Sequence, residues 1–133
     1  MKWLITGGCG FLGTSLVSTL VQECHHSIRI VDNLSVGARA DLQQVTDYEE
    51  LSGQNHGCFP DNGVQLMVGD VLDETLINSV IAGADIVVHL AANTGVEPSV
   101  KNPQKDCIVN VIGTLNCLEA ARNNHVKRFV FAS

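Results

Sequence analysis

The sequence predicts an α/β fold: a doubly wound parallel sheet of about five strands, order 3-2-1-4-5, with helices on both faces. Three observations predict it. Short apolar runs alternate with segments of helical periodicity along the whole chain. The first run stops at a glycine cluster, and a helix-patterned segment follows at once. The glycines and carboxylates that stand out (Gly7 to Gly13, Asp32, Asp70) fall at the C-terminal ends of the runs, as do Ala91, Ala92 and Ser133. In a doubly wound sheet that rim is where the strand order reverses and a crevice opens.

Taken in order, Lys2-Trp3-Leu4-Ile5-Thr6 reads as the first strand and residues 7–10 as a tight turn. A helix over about 10–23 follows, with Leu16 and Leu20, and Val17 and Val21, at helical spacing. Glu23-Cys24-His25-His26 closes it. Neighbouring residues on a helix do not face each other, so these read as a solvated helix end and no metal site is expected. Residues 27–32 form the second strand, ending in Asp32. Residues 36–63 are the least regular part and read as an excursion over the surface. Within it, 38–45 and 47–51 are each expected as a short helix, and 52–57 and 60–63 as turns. The third strand, 64–68, runs into Gly69-Asp70-Val71. Asp73-Glu74-Thr75 opens a helix through Ala82, with acids where the dipole favours them. The fourth strand, 85–92, is almost unbroken in apolarity, which suits a strand covered on both faces. A loop over 93–103, with a helical turn after Pro98, leads to a long helix over 106–123. Its apolar stripe is Ile108, Val111, Ile112, Leu115, Leu118 and Ala121. The fifth strand, 127–132, ends at Ser133.

The glycine turn has a specific use. A chain without Cβ atoms approaches an anion closely, and the free N–H groups opening a helix favour negative charge. The spacing is Gly7-x-x-Gly10-x-x-Gly13. An acid about 20 residues beyond such a turn is placed to bind ribose hydroxyls, and Asp32 stands there. Together these point to a dinucleotide. The plainer readings are a ligand-free turn, and Asp32 as a turn residue.

Composition narrows the rest. The chain has 133 residues, 45% of them hydrophobic, which suits one compact domain over 1–133. The net charge is −6 and the eight Lys and Arg are scattered, so neither nucleic acid nor an anionic membrane is an expected partner. No apolar run approaches a membrane span. The first strand begins within two residues of Met1, so no signal peptide is expected. Five scattered cysteines without a C-x-x-C pair read as reduced thiols of a cytoplasmic protein. Cys9 reads as a small residue filling the turn.

Five segments in order carry a resemblance: Thr6 to Gly13, Val31-Asp32-Asn33-Leu34-Ser35, Gly69-Asp70-Val71, His89-Leu90-Ala91-Ala92, and Asn110 to Arg122. The chain resembles the N-terminal half of the extended short-chain dehydrogenases, and within them the NAD-dependent nucleotide-sugar epimerases and dehydratases of the UDP-glucose 4-epimerase type. The resemblance implies a Rossmann-type NAD site. Gly7, Gly10, Phe11, Leu12 and Gly13 would carry the pyrophosphate. Asp32 would bind the adenosine ribose, with Asn33 beside the adenine pocket and Asp70 and Val71 holding the ring. Leu90, Ala91 and Ala92 would line the nicotinamide side, and Asn110 would organise the active site. The loop over 94–99 would touch substrate or nicotinamide. The charge of Asp32 would repel a 2′-phosphate, which favours NAD over NADP. Each residue also has a plainer role: Asp70 as a helix cap, His89 as a satisfied core histidine, Asn110 as a partner for backbone.

The family's chemistry needs a tyrosine whose phenol, with a pKa near 10, is made usable by a lysine four residues on. Here the only tyrosine is Tyr48 and residue 52 is serine, so the pair is absent. Ser133 stands at or next to the family's serine position, so no catalytic set is complete. The expectation is therefore the NAD-binding portion of an epimerase or dehydratase, inactive alone, that meets a nucleotide-sugar only if the missing half is supplied. Two alternatives stand: a non-catalytic dinucleotide sensor, and a structural partner completing its site with another chain. Phe129, Val130 and Phe131 are expected to leave an exposed apolar edge through which the chain self-associates.

Overall fold

The computed structural model describes residues 1–53 and 57–133. Its elements are β1 (Lys2–Thr6), α1 (Phe11–Gln22), β2 (Ser27–Asp32), α2 (Arg39–Gln43), β3 (Glu49–Leu51), β4 (Gly63–Val68), α3 (Glu74–Ile81), β5 (Ile86–His89), α4 (Val96–Lys101), α5 (Pro103–Cys107), a π-helical turn (Ile108–Ile112), α6 (Gly113–Asn123) and β6 (Arg128–Phe131). The six strands form one sheet, order β3-β4-β2-β1-β5-β6, parallel at every pairing. This is the expected Rossmann-type sheet with one further strand at its far edge.

Alternation along the strands builds two cores. Leu4, Val31, Met67 and Val87 face one side, where Ile77, Val80 and Ile81 of α3 and Cys117, Ala120 and Ala121 of α6 cover them. Ile5, Ile28, Ile30, Leu66 and Val88 face the other, under Val17 and Leu20 of α1 and Leu42 of α2. The central strands β4, β2, β1 and β5 are thus covered on both faces, which is why β5 reads as an almost unbroken apolar run. Each fully buried side chain contributes about 2 kcal/mol against exposure. Among the described residues no helix is long and apolar enough to cross a membrane.

The excursion differs from the expected pair of short helices. The first forms, as α2. The second, over 47–51, is instead β3, which pairs Glu49 with Gln65 and Leu51 with Met67. Five residues cannot sustain a helix without packing, whereas the sheet edge offers ladder bonds and side-chain partners. Arg39 holds Glu50 in a two-pronged pair at 2.7 and 2.8 Å. Gln65 Nε2 donates to Glu49 Oε2 at 3.1 Å. The expected turn over 52–57 lies partly outside the described residues, at 54–56.

Arg29, on β2, is 1% exposed. Its guanidinium donates to Gln65 Oε1 and to the carbonyls of Gly57, Cys58 and Val80, and lies 4.3 Å from the centre of the Phe59 ring. A buried charge demands such a full set of acceptors. Arg29, Gln65 and Glu49 form a polar ladder across three strands, fastening the excursion to the sheet.

The segment before β6 differs most. The expected loop over 93–103 contains α4, which starts at Val96, before Pro98, and α5 follows at Pro103. The expected single helix over 106–123 is α5, a π-turn and α6 in succession. The expected stripe does not face the core: Ile108, Val111, Ile112, Leu115 and Leu118 are 43–57% exposed, and only Ala121 of that set is buried. Gly113, Cys117, Ala120 and Ala121 face inward instead. A Cβ at position 113 would sit 2.6 Å from Val71 Cγ2, so α6 lies too close for large residues. Along β6, Val130 and Phe131 are 43% and 53% exposed, as expected, but Phe129 packs partly buried against the α3 and α6 core and does not belong to the exposed edge.

Candidate functional site

The C-terminal ends of the strands surround a cavity of about 950 Å³. Twelve of the thirteen residues expected at a cofactor line it: Gly7, Gly10, Phe11, Leu12, Gly13, Asp32, Asn33, Asp70, Val71, Leu90, Ala91 and Ala92. Asn110 does not. The wall also includes Val36, Gly37, Asn93 and Lys105, which sequence reasoning did not single out.

The turn after β1 is packed without slack. Gly7 has φ +70°, and a Cβ there would meet Ala91 N at 2.8 Å. Its N–H donates to Val31 O at 2.8 Å. At Gly13 a Cβ would lie 2.4 Å from Gly7 O and 2.5 Å from Gly8 Cα, so α1 rests directly on the turn. Gly10 is different. Its φ and ψ are −76° and 176°, open to any residue, and its Cβ would touch only Gly7 O, at 3.4 Å. Within the turn only Gly7 has a positive φ. The fold needs glycine at 7 and 13. At 10 the fold makes no such demand, and the residue lines the cavity.

α1 begins at this turn with no side-chain cap and no acid in its first turn. Its opening N–H groups are therefore available to an anion. Across from them, Asp32 is 8% exposed and held rigidly: Cys9 N donates to Oδ2 at 2.9 Å and Leu34 N to Oδ1 at 2.8 Å. Each carboxylate oxygen keeps a second lone pair for a ligand hydroxyl. Gly37 closes this corner, since a Cβ there would strike Cys9 O at 2.2 Å. Its one sequence signal was a glycine shortly after the acid. Asp70 does not cap α3. Asp73 does, accepting from Leu76 N at 2.9 Å, while Asp70 accepts from Leu72 N at 2.9 Å and from Asn33 Nδ2 at 3.2 Å.

The opposite wall is fixed by a second network. Asn110, inside the π-turn, accepts from Asn93 N at 2.7 Å and donates to Asn93 O at 3.1 Å. Asp106 accepts from Asn93 Nδ2 and Ser99 Oγ, at 2.9 and 2.8 Å, and these bonds hold its carboxyl below the usual range. Asn110 thus bonds backbone and positions the loop after β5. His89, 1% exposed, meets Thr6 Oγ1 at 2.7 Å and Thr114 Oγ1 at 3.0 Å. Burial lowers its pKa to about 4, so it is a neutral, satisfied core histidine. Burial also pushes the Cys9 thiol up to about 12, with Asp32 and Asp41 adding to it. That thiol fills the turn, buried and held in its neutral form.

At the other end of the sheet, the chain leaves α1 at Gln22, before the two histidines. The helical argument that kept them apart therefore does not apply. Cys24 takes φ +59°, and the rings of His25 and His26 lie 4.2 Å apart.

The profile of the NAD dependent epimerase/dehydratase family matches residues 3–133. The dTDP-glucose 4,6-dehydratase of Mycobacterium tuberculosis is 34% identical over 129 residues, 96% of this chain and 34% of that protein. The UDP-glucose 4-epimerase of Erwinia amylovora is 34% identical over 135 residues, covering 100% of this chain and 36% of the relative. The solved structure of UDP-glucose 4-epimerase from Bifidobacterium longum, in complex with NAD+ and UDP, superposes with a TM-score of 0.83 at 29% identity, over 100% of this chain and 37% of that one. The chain spans about a third of the length of the relatives it matches.

Proposed function

The chain belongs to the NAD-dependent epimerase/dehydratase family, and on that premise we propose that it is the NAD-binding portion of a nucleotide-sugar epimerase or dehydratase, without turnover of its own. One observation carries the reading: the uncapped amides of α1 and the rigid carboxylate of Asp32 face one cavity from two sides. A dinucleotide needs that pair, amides for its pyrophosphate and an acceptor for its ribose hydroxyls. Gly7, Gly10, Phe11, Leu12 and Gly13 hold the pyrophosphate. Asn33, Asp70 and Val71 border the adenine, and Leu90, Ala91 and Ala92 the nicotinamide. The bound cofactor supplies hydride chemistry. This chain's residues bind and orient it, and Asn110 keeps the nicotinamide wall in place through Asn93.

The missing Tyr-x-x-x-Lys pair leaves no group to move a proton to or from a sugar hydroxyl. The relatives' names point to a UDP- or dTDP-glucose as the sugar handled by the complete enzyme. Calorimetric titration tests the cofactor. NAD+ binds, and NADP+ binds at least about tenfold more weakly, because its extra phosphate meets the Asp32 charge. No heat with NAD+, or equal affinities, overturns the reading. Turnover of UDP-glucose or dTDP-glucose by this chain alone overturns its inactive part.

A further inference from the structure

We propose that Glu23, His25 and His26 form a binding site for a divalent transition cation of the Zn2+ type, at the end of the sheet away from the cofactor cavity. Each of the three offers a ligand atom, and these atoms lie within 4.8 Å of one another. The donor set is two imidazoles and a carboxylate. It suits Zn2+ or Ni2+, and not Mg2+ or Ca2+, which take oxygen ligands. Three protein donors leave a fourth tetrahedral position to water.

The protonation pattern favours the ion. His25 Nδ1 lies 2.5 Å from the carbonyl of Glu23. A carbonyl only accepts, so Nδ1 carries a proton, and the neutral ring offers the lone pair of Nε2. A backbone carbonyl on the other ring nitrogen is the usual support of a metal-bound histidine. His26 Nε2 lies 2.6 Å from Glu23 Oε2, and its Nδ1 is buried with no partner among the described residues. No bond on Nδ1 therefore locks the tautomer. When the cation takes Nε2, the proton moves to Nδ1, and Glu23 offsets one of the ion's two charges. Donors around a tetrahedral ion stand about 3.3 Å apart, given bonds of about 2.0–2.1 Å. Glu23 Oε2, 2.6 Å from His26 Nε2, reaches that spacing by a small outward swing of its half-exposed side chain.

Trp3 supplies a reporter. It is the only tryptophan in the sequence, and its ring lies edge-on to His26 at 5.7 Å between centres. The site is tested on the full chain, under reducing conditions, by calorimetry with Zn2+ and by Trp3 fluorescence with paramagnetic Ni2+. One equivalent of Zn2+ binds, and Ni2+ quenches Trp3 saturably. His25→Ala and Glu23→Gln each weaken both by about tenfold or more, with far-UV circular dichroism unchanged. His125→Asn, on a surface histidine outside the cluster, has no effect. Quenching that rises linearly without saturation overturns the proposal, as does an affinity unchanged by His25→Ala. Binding abolished by Cys24→Ser and untouched by His25→Ala also overturns it, by assigning the metal to the thiol.

Discussion

Gly10 and Gly13 occupy one turn, yet alanine at the two positions should have opposite consequences. At 13 the new Cβ would sit 2.4 to 2.6 Å from three backbone atoms of Gly7 and Gly8, none of which can swing aside. Overpacking costs about 1–3 kcal/mol in general, and backbone neighbours put this case at about 3. For a domain of this size that lowers Tm by about 10 °C. At 10 the Cβ meets one atom at 3.4 Å and the backbone angles suit alanine. The loss is the small preference of a helix N-cap for glycine, under about 1 kcal/mol. The same methyl group stands where a pyrophosphate oxygen would approach the amides of α1. Losing one charge-assisted hydrogen bond costs about 1.5–3 kcal/mol, or about 10- to 100-fold in Kd for NAD+. Thermal unfolding by circular dichroism and calorimetric titration read the two quantities separately. Wild-type NAD+ affinity in Gly10→Ala would refute the placement of the pyrophosphate. Wild-type Tm in Gly13→Ala would refute the packing argument.

Other outcomes follow from burial. Thiol titration of the native chain should label Cys24, Cys58 and Cys107, all exposed, and spare Cys9 and Cys117, whose pKa values burial raises to about 12; rapid labelling of all five would contradict the packed turn. His89, with a folded pKa of about 4 against 6.5 unfolded, is neutral in the fold. The unfolded chain takes up the proton first, so this contribution to stability is complete above pH 6.5 and is lost as pH falls toward 4, by about 2 kcal/mol at pH 5. An NMR titration of His89 with a midpoint near 6.5 would show the ring to be solvated. The exposed Val130 and Phe131 of the β6 edge should make the chain associate, and Phe131→Glu should reduce association in sedimentation velocity; a strict monomer at about 100 µM would count against a Kd in the micromolar range.

What was legible in the sequence was what local pattern encodes. The glycine turn, the acid closing β2 and the strand cores each follow from period and residue type, and they place twelve expected ligand residues around one cavity. What escaped depended on partners distant in sequence. The short strand Glu49–Leu51 exists because β4 offers it a ladder and Arg39 a counter-charge. The Asn93–Asp106–Asn110 network joins residues that no periodicity links. The stripe over the π-turn and α6 is apolar as expected, but it faces solvent and not the core. Close approach to Val71 demanded small residues, and the eye follows large ones.

The two borders of the sheet are unlike, and this limits how copies could meet. Along β3 the border is three residues long, carries Glu49 and Glu50, and is moored through Gln65 to the Arg29 guanidinium. Such a border repels an incoming strand. The β6 border presents Val130 and Phe131, both half exposed, beside Arg128. Were copies of this chain to pair through β6, such a pair would close across a two-fold axis, because the β3 border offers no second adhesive side from which to continue.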